Sequence, residues 1–378
     1  MGKVKLCELA DIYLGVTHTP EYVFDGVPFL SVKDISGGKI CFDDCKYISQ
    51  EEYDSLSEGA KPKVGDMLFC RVGTLGKPII IPEGTPLFGS FVSLGYLRNK
   101  NADRCDLNYL RYWMYSNSFW KQVNSNVKGA SQVNLNTGWL SKFDIDLPEM
   151  QEQKYRISVL GKCKVIIEQR KEELKVLDNL IKARFVEMFG NPLDSTAKYP
   201  IHQVGNVAEA VDPQPSHRTP PVQEGGVPYV SIKDCDYKTG KIDFEGARKV
   251  ARKVLEEHLN RYTLHDGDFV IGKIGTIGNP VFIPARDDYT LSANVVLVQP
   301  NSEVVSPYFL KYSFESDFVE RQFSEAKNST SQAAFGIQKV RNVKVMNPDL
   351  DTQRAFEKFV KQVDKLKVVY QGYSQYIA

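Results

Sequence analysis

A chain of 378 residues, 42% hydrophobic and 25% charged, has the composition of an ordinary globular protein with room for two or three cored domains. Its formal charge of +1 gives no bulk attraction to polyanions, so any basic surface has to be a local concentration. No apolar run approaches the roughly 20 residues of a membrane span, no apolar leader follows Met1, and the seven scattered cysteines read as reduced thiols, which together predict a cytoplasmic protein without a membrane anchor.

Short β-type runs broken by turns open the chain. Val27-Pro28-Phe29-Leu30-Ser31-Val32 reads as a strand ending at Lys33-Asp34, and Ser36-Gly37-Gly38 as a turn. Residues 67–70 and 78–81 read as strands that flank Val72-Gly73-Thr74-Leu75-Gly76. An aromatic, helix-like stretch covers residues 107–118, and a polar segment from Asn124 to Asn136 precedes the next strand. From Glu149 to Phe189 there is no proline, and Leu160, Cys163, Ile167, Leu174, Leu177, Ile181 and Met188 keep a three-four rhythm. That predicts an amphipathic helix of about 40 residues, roughly 60 Å long, stopped by Gly190-Asn191-Pro192.

The same pattern then returns about 200 residues further on. Gly26-Val27-Pro28-Phe29-Leu30-Ser31-Val32-Lys33-Asp34-Ile35 reappears as Gly226-Val227-Pro228-Tyr229-Val230-Ser231-Ile232-Lys233-Asp234-Cys235. Gly65-Asp66 reappears as Gly267-Asp268, Gly73-Thr74-Leu75-Gly76 as Gly275-Thr276-Ile277-Gly278, and Ser131-Gln132 as Ser331-Gln332. The second copy closes with Phe356, Phe359, Val363, Leu366, Tyr370, Tyr373 and Ile377 at the same three-four spacing. Two such helices in one chain bury their seams most simply as an antiparallel pair. The expected organisation is α+β: two pseudo-repeated α/β domains at 1–148 and 192–348, with long coiled-coil-like helices at 149–191 and 349–378. Leu160, Ile167, Leu174, Leu177 and Ile181 would meet Phe356, Phe359, Val363, Leu366 and Tyr370 or dock partners.

Catalytic patterns are missing from the sequence: no HExxH, no Gly-x-Ser-x-Gly, no Asp/Asn-Pro-Pro-Tyr/Phe and no Walker loop. No histidine or cysteine falls in a metal-ligand spacing, so neither a catalytic set, a metal nor a cofactor is expected. The glycine stretches lead into strands rather than a helix N-terminus, which argues against a phosphate loop and for a tight turn with positive φ. Such a turn, with Thr74 and Arg71 or Thr276 and Lys273, could also bring backbone amides to a DNA phosphate. Lys33 and Lys233, each beside an aspartate at a strand end, read either as turn ion pairs or as DNA-facing groups. The polar loops carry Lys128, Ser131, Gln132, Asn134 and Asn136 in one copy and Lys327, Asn328, Ser331 and Gln332 in the other. Short amides and hydroxyls with a lysine are the groups that reach base edges and phosphates.

This layout resembles the specificity subunit of type I restriction–modification systems. Leu147-Pro148-Glu149-Met150-Gln151-Glu152-Gln153 looks like the family's Leu-Pro-x-x-Glu-Gln signature, and Glu187-Met188-Phe189-Gly190-Asn191-Pro192 like its Glu-Met-Phe-Gly-Asn-Pro. The second copy keeps Pro348 and Gln353 but not the glutamate before it. The resemblance implies a non-catalytic reader in which each domain binds one half of a bipartite site in double-stranded DNA. The helices would set the gap between halves and dock two methyltransferase subunits, with restriction (motor-nuclease) subunits as further partners. A protein-interaction scaffold gripping two equivalent partners is the alternative.

Overall fold

The computed structural model describes residues 2–126, 134–194, 196–237, 239–273, 278–328 and 336–375. The fold is α+β, and the chain divides into two compact units, Met1–Ile167 and Glu168–Ala378.

In the first unit a four-stranded antiparallel sheet runs in the order Ala10–Leu14, Leu94–Asn99, Met67–Cys70, Gly76–Ile80. Side chains alternate across a strand, and here both faces are covered. Met67, Phe69 and Leu97 face a cluster with Leu110, Trp113, Phe119 and Ile145, whereas Leu68, Cys70 and Tyr96 face Leu30, Ile35 and Phe88. That double burial explains why Met67-Leu68-Phe69-Cys70 is apolar throughout instead of alternating. A second sheet, Tyr22–Val23, Lys46–Ile48, Val27–Leu30, Gly89–Ser90, is antiparallel except for its last pair, where Phe29 lies beside Gly89.

The second unit repeats the plan. Ala208–Val211, Val295–Pro300, Phe269–Gly272 and Val281–Phe282 form the four-stranded sheet, and Arg248–Val250, Val227–Val230 and Thr290–Leu291 the second one. Phe269 and Ile271 turn to one core, Val270 and Leu297 to the other.

The long helix runs from Met150 to Phe189, and its residues 150–167 belong to the first unit. Gln153 fixes its start: the side chain is fully buried, accepts from Asp106 N (2.9 Å) and donates to Arg104 O (3.0 Å) and Pro148 O (2.8 Å). Gln353 does the same for the helix Leu350–Gln375, accepting from Ser306 N (2.7 Å) and donating to Pro348 O (2.7 Å). Within the second unit, residues 168–189 and Leu350–Gln375 lie antiparallel. Lys367 pairs with Asp178 at 2.7 Å, Arg184 sits over the Phe359 ring, and Phe185 and Phe189 both meet Phe356.

The buried row of that pair differs from the expected seam. Phe356, Val360 and Val363 are buried while Leu366 is 51% exposed, and on the partner helix Ile181, Phe185 and Phe189 are buried while Leu160, in the first unit, is 43% exposed. Phe359 and Leu177 are partly buried against the same core, whereas Ile167 and Leu174 are half-buried. The reason is that the helix Leu350–Gln375 packs on the aromatic helix Pro307–Phe314 as well as on its antiparallel partner. Contacts follow the 3.6-residue turn of a straight helix there, not a strict heptad.

Candidate nucleic-acid interface

The repeated block around Ser31 and Ser231 builds the same corner twice. Asp34 Oδ2 accepts from Ser31 N (2.6 Å) and Ser31 Oγ (2.9 Å), and Asp234 Oδ2 accepts from Ser231 N (2.8 Å), so each aspartate closes a capping box. The neighbouring Lys33 and Lys233 point outward and are exposed; Lys33 Nζ donates to Asp44 O at 2.8 Å. Asp34 is therefore structural, and Lys33 stays on the surface with its Nζ 3.8 Å from Asp34 Oδ1, the expected turn ion pair.

The glycine turns do need left-handed backbone, with φ of 67° at Gly73, 78° at Gly76 and 95° at Gly278. Gly73 lies against Val32, whose N–H donates to Ser93 Oγ, and this sets the turn beside the Ser31 corner. Thr74 is exposed on it. The sheet thus brings Lys33 and Thr74 together, with Asn134 emerging close by because Leu135 N donates to Arg71 O at 2.9 Å.

Two expected DNA ligands are spoken for inside the fold. Arg71 is 8% exposed and its guanidinium donates to Leu135 O (3.0 Å) and Val92 O (2.8 Å); burial pulls its pKa down from the ordinary arginine value. Lys273 is 6% exposed, and its Nζ donates to Asp212 Oδ2 at 2.9 Å. Burying a cation costs several kcal/mol unless it is paired, and these contacts pair both side chains within the fold. Asn136 is also committed, its Oδ1 accepting from Gly138 N at 2.7 Å as a helix cap. Lys128, Ser131, Gln132, Thr276, Ser331 and Gln332 lie outside the described residues, as do the side chains of Lys327, Asn328 and Tyr370.

In the second unit an open cleft lies beside the buried pair, lined by Asp212, His217, Lys273, Asn294, Gly336 and Ile337. Sequence reasoning passed over the wall formed by residues 212–222. Its signal was available: four prolines, a histidine and an arginine with no carboxylate after Asp212, set between two matched blocks. Gln214 anchors that wall. Its Oε1 meets Nε2 of His258, a residue 2% exposed whose pKa is lowered, chiefly by burial and then by Arg261. Among the described residues no group of three or more His, Cys, Asp or Glu is arranged to hold a metal, and no helix is long and apolar enough to cross a membrane.

Comparison with known proteins shows what the chain is similar to. Residues 205–369 match the type I restriction modification DNA specificity domain. The chain is 24% identical over 286 residues to the type I restriction enzyme MjaVIII specificity subunit of Methanocaldococcus jannaschii, covering 71% of this chain and 66% of that protein. The chain is similar to type I restriction enzyme specificity subunits, and its second unit carries the segment that matches the DNA specificity domain. A putative type I restriction enzyme MjaX specificity subunit of the same organism is 24% identical over 118 residues, 30% of this chain and 28% of that one. Matches therefore span just under two thirds, at most, of these specificity subunits. The fold is shared with the S subunit of a type I restriction–modification system from M. genitalium, at TM-score 0.54 and 14% identity over 100% of this chain and 92% of that one. A chain from a study of assembly and conformational transition in the type I R-M system gives TM-score 0.58 at 15% identity, covering 100% and 94%.

Proposed function

We propose that this chain is the sequence-reading subunit of a type I restriction–modification complex, each unit reading one half of a bipartite site in double-stranded DNA. The observation that carries the reading is a scaffold kept twice around surfaces that differ. The Ser31–Asp34 and Ser231–Asp234 boxes recur at matched positions, and the cations Arg71 and Lys273 are buried and bonded at matched strand ends. What flanks each corner is different: the edge strand Tyr22–Val23 in one unit, and the proline-rich segment 212–222, held through Gln214 and His258, in the other. Duplicated supports with diverged surfaces suit a reader of two unlike half-sites better than a grip on two equal partners.

In this reading Lys33 and Lys233 supply phosphate contacts, and the loops bearing Gln132 and Gln332 supply base contacts. The chain itself is non-catalytic; methyltransferase subunits dock on its helices and carry out the methyl transfer, and motor-nuclease subunits join them. The test is co-expression with the methyltransferase subunits and long-read mapping of methylated bases. One bipartite motif is expected, with Gln132→Ala degrading one half and Gln332→Ala the other while the complex still assembles. Equal retention of every duplex, with no preferred motif, would overturn the reading.

A further inference from the structure

The stretch between the first two matched strands folds differently in the two units. In the first it forms the edge strand Tyr22–Val23, paired through Tyr22 with Ile48 and Val23 with Tyr47. In the second, no edge strand is described: of the matching residues Val222 and Gln223, Gln223 N keeps one backbone bond to Lys249 O (3.0 Å), and the stretch before them loses donors at Pro213, Pro215, Pro220 and Pro221. Side chains hold this strap instead. Asp212 takes Lys273, Gln214 Nε2 donates to Ser216 Oγ (2.9 Å) and Arg218 O (3.1 Å), and Arg248 Nε donates to Pro220 O (3.2 Å). His217 is left-handed at φ 51°, one of two such non-glycine residues among those described; the other, Lys77, follows Gly76 at the glycine turn of the first unit. Strained backbone of this kind collects at binding surfaces.

The duplication supplies an internal control for what anchors the strap. The run from Leu56 to Asp66 corresponds to that from His258 to Asp268, so Leu56 and Ala60 stand where His258 and Tyr262 do. Phe29 pairs with Gly89 and Tyr229 with Thr290, which places Gly89 where Thr290 is. The first unit fills this spot with apolar groups, Leu56 at 6% and Ala60 at 0% exposure. The second buries a hydrogen-bonded chain instead: Leu291 N donates to Tyr262 Oη (3.3 Å), Tyr262 meets Thr290 Oγ1 (2.9 Å), Thr290 meets His258 Nδ1 (2.5 Å), and His258 Nε2 meets Gln214. A buried polar chain is worth less to stability than the apolar filling next door, unless its outer end does something. Its outer end is the strap.

We propose that the strap 212–222 is a DNA-backbone contact of the second unit, with Arg218 meeting a phosphate and His258 acting as the positioning residue that fixes it through Gln214. Arg218 is exposed, the one carboxylate of the strap is taken by Lys273, and His217 on the strap and Lys273 at its base line the same cleft as Gly336 and Ile337. Charge and place both suit a polyanion.

This inference rests on the DNA-reading function, and one titration separates the two. Binding of the full chain to a mixed-sequence linear duplex is measured against salt. Arg218→Ala should lower the slope of log K against log salt by about 0.9, the value of one lost phosphate contact. Gln214→Ala should lower it equally, and the double variant no further, because both remove one contact. His258→Gln, whose amide still reaches Gln214, should keep the wild-type slope, whereas His258→Leu should not. Wild-type slope in Arg218→Ala, or loss in Gln214→Ala that adds to that of Arg218→Ala, overturns the strap while leaving the reader intact. A wild-type chain without salt-dependent binding to any duplex overturns both.

Discussion

Gln153 and Gln353 hold the start of each long helix with all their polar atoms engaged and none of their surface exposed. Truncation to alanine strands a backbone N–H and at least one carbonyl without partners, at about 1–3 kcal/mol each. Gln153→Ala should therefore lower the stability of the first unit by about 3 kcal/mol, and Gln353→Ala that of the second. Urea unfolding followed by hydrogen exchange checks both the size and the place of the loss, and loss in the other unit would refute the assignment. His258 gives a pH prediction. The fold lowers its pKa from the ordinary 6.5 through burial and Arg261, with Glu257 acting the other way and Thr290, Tyr262 and Gln214 as neutral neighbours. Below about pH 6.5 the unfolded chain takes up a proton that the folded one resists, so this stabilisation is complete above that pH and drains away below it. Unfolding of the second unit at about pH 7.5 and about pH 5.5 should show a smaller acid loss in His258→Gln than in wild type. Residue-level roles were the least legible part of the sequence. Arg71 and Lys273 look like phosphate ligands beside a glycine turn, and only partners 64 and 61 residues away show that both are bonded inside the fold. The repeated Lys-Asp pair gave half its meaning away, since a capping box is local and a lysine's target is not.

At the scale of elements, the helix-end motif is where sequence and packing agree most closely. Phe189 ends the long helix fully buried, and its ring lies 4.8 Å from Phe309 and 5.5 Å from Phe356. Gly190 follows at φ 78°, and a Cβ there would sit 1.9 Å from Thr196 O, so the chain can turn only at glycine. Phe189→Ala should cost about 3–5 kcal/mol in the second unit, as the cluster of Phe185, Phe309 and Phe356 cannot collapse around the gap. Thermal unfolding measures it; a loss below about 1 kcal/mol would mean that the helix end is not part of this core. Helix existence and length were readable from the missing prolines and the apolar rhythm. The contact row was not, because a three-four spacing fits several faces of one helix, and the choice among them was made by the aromatic helix Pro307–Phe314, which is distant from it in sequence. The divergent network at His258 was hidden for a different reason: it is visible only when strand register places Thr290 over Gly89.

At the scale of the whole chain, the helix Met150–Phe189 is the covalent path from one unit to the other, crossing their boundary between Ile167 and Glu168 without a break. It contains no proline, and its one glycine, Gly161, lies near the first end. In the proposed reading, the gap between half-sites should therefore depend on the number of residues in this helix. Insertion of four helix-forming residues after Leu174 leaves Leu177, Ile181, Phe185 and Phe189 on their core and the Asp178–Lys367 pair in register. It adds about 6 Å and about 40° beyond a full turn. At about 3.4 Å per base pair the gap in the methylated motif should grow by about two base pairs, with weaker methylation because of the rotation. Seven residues add about 10.5 Å and return within about 20° of phase, which should lengthen the gap by about three base pairs at nearly full strength. Long-read maps of methylated bases from cells carrying each insertion read the gap directly. An unchanged gap in both would mean that the helix joins the readers without measuring the distance between their half-sites.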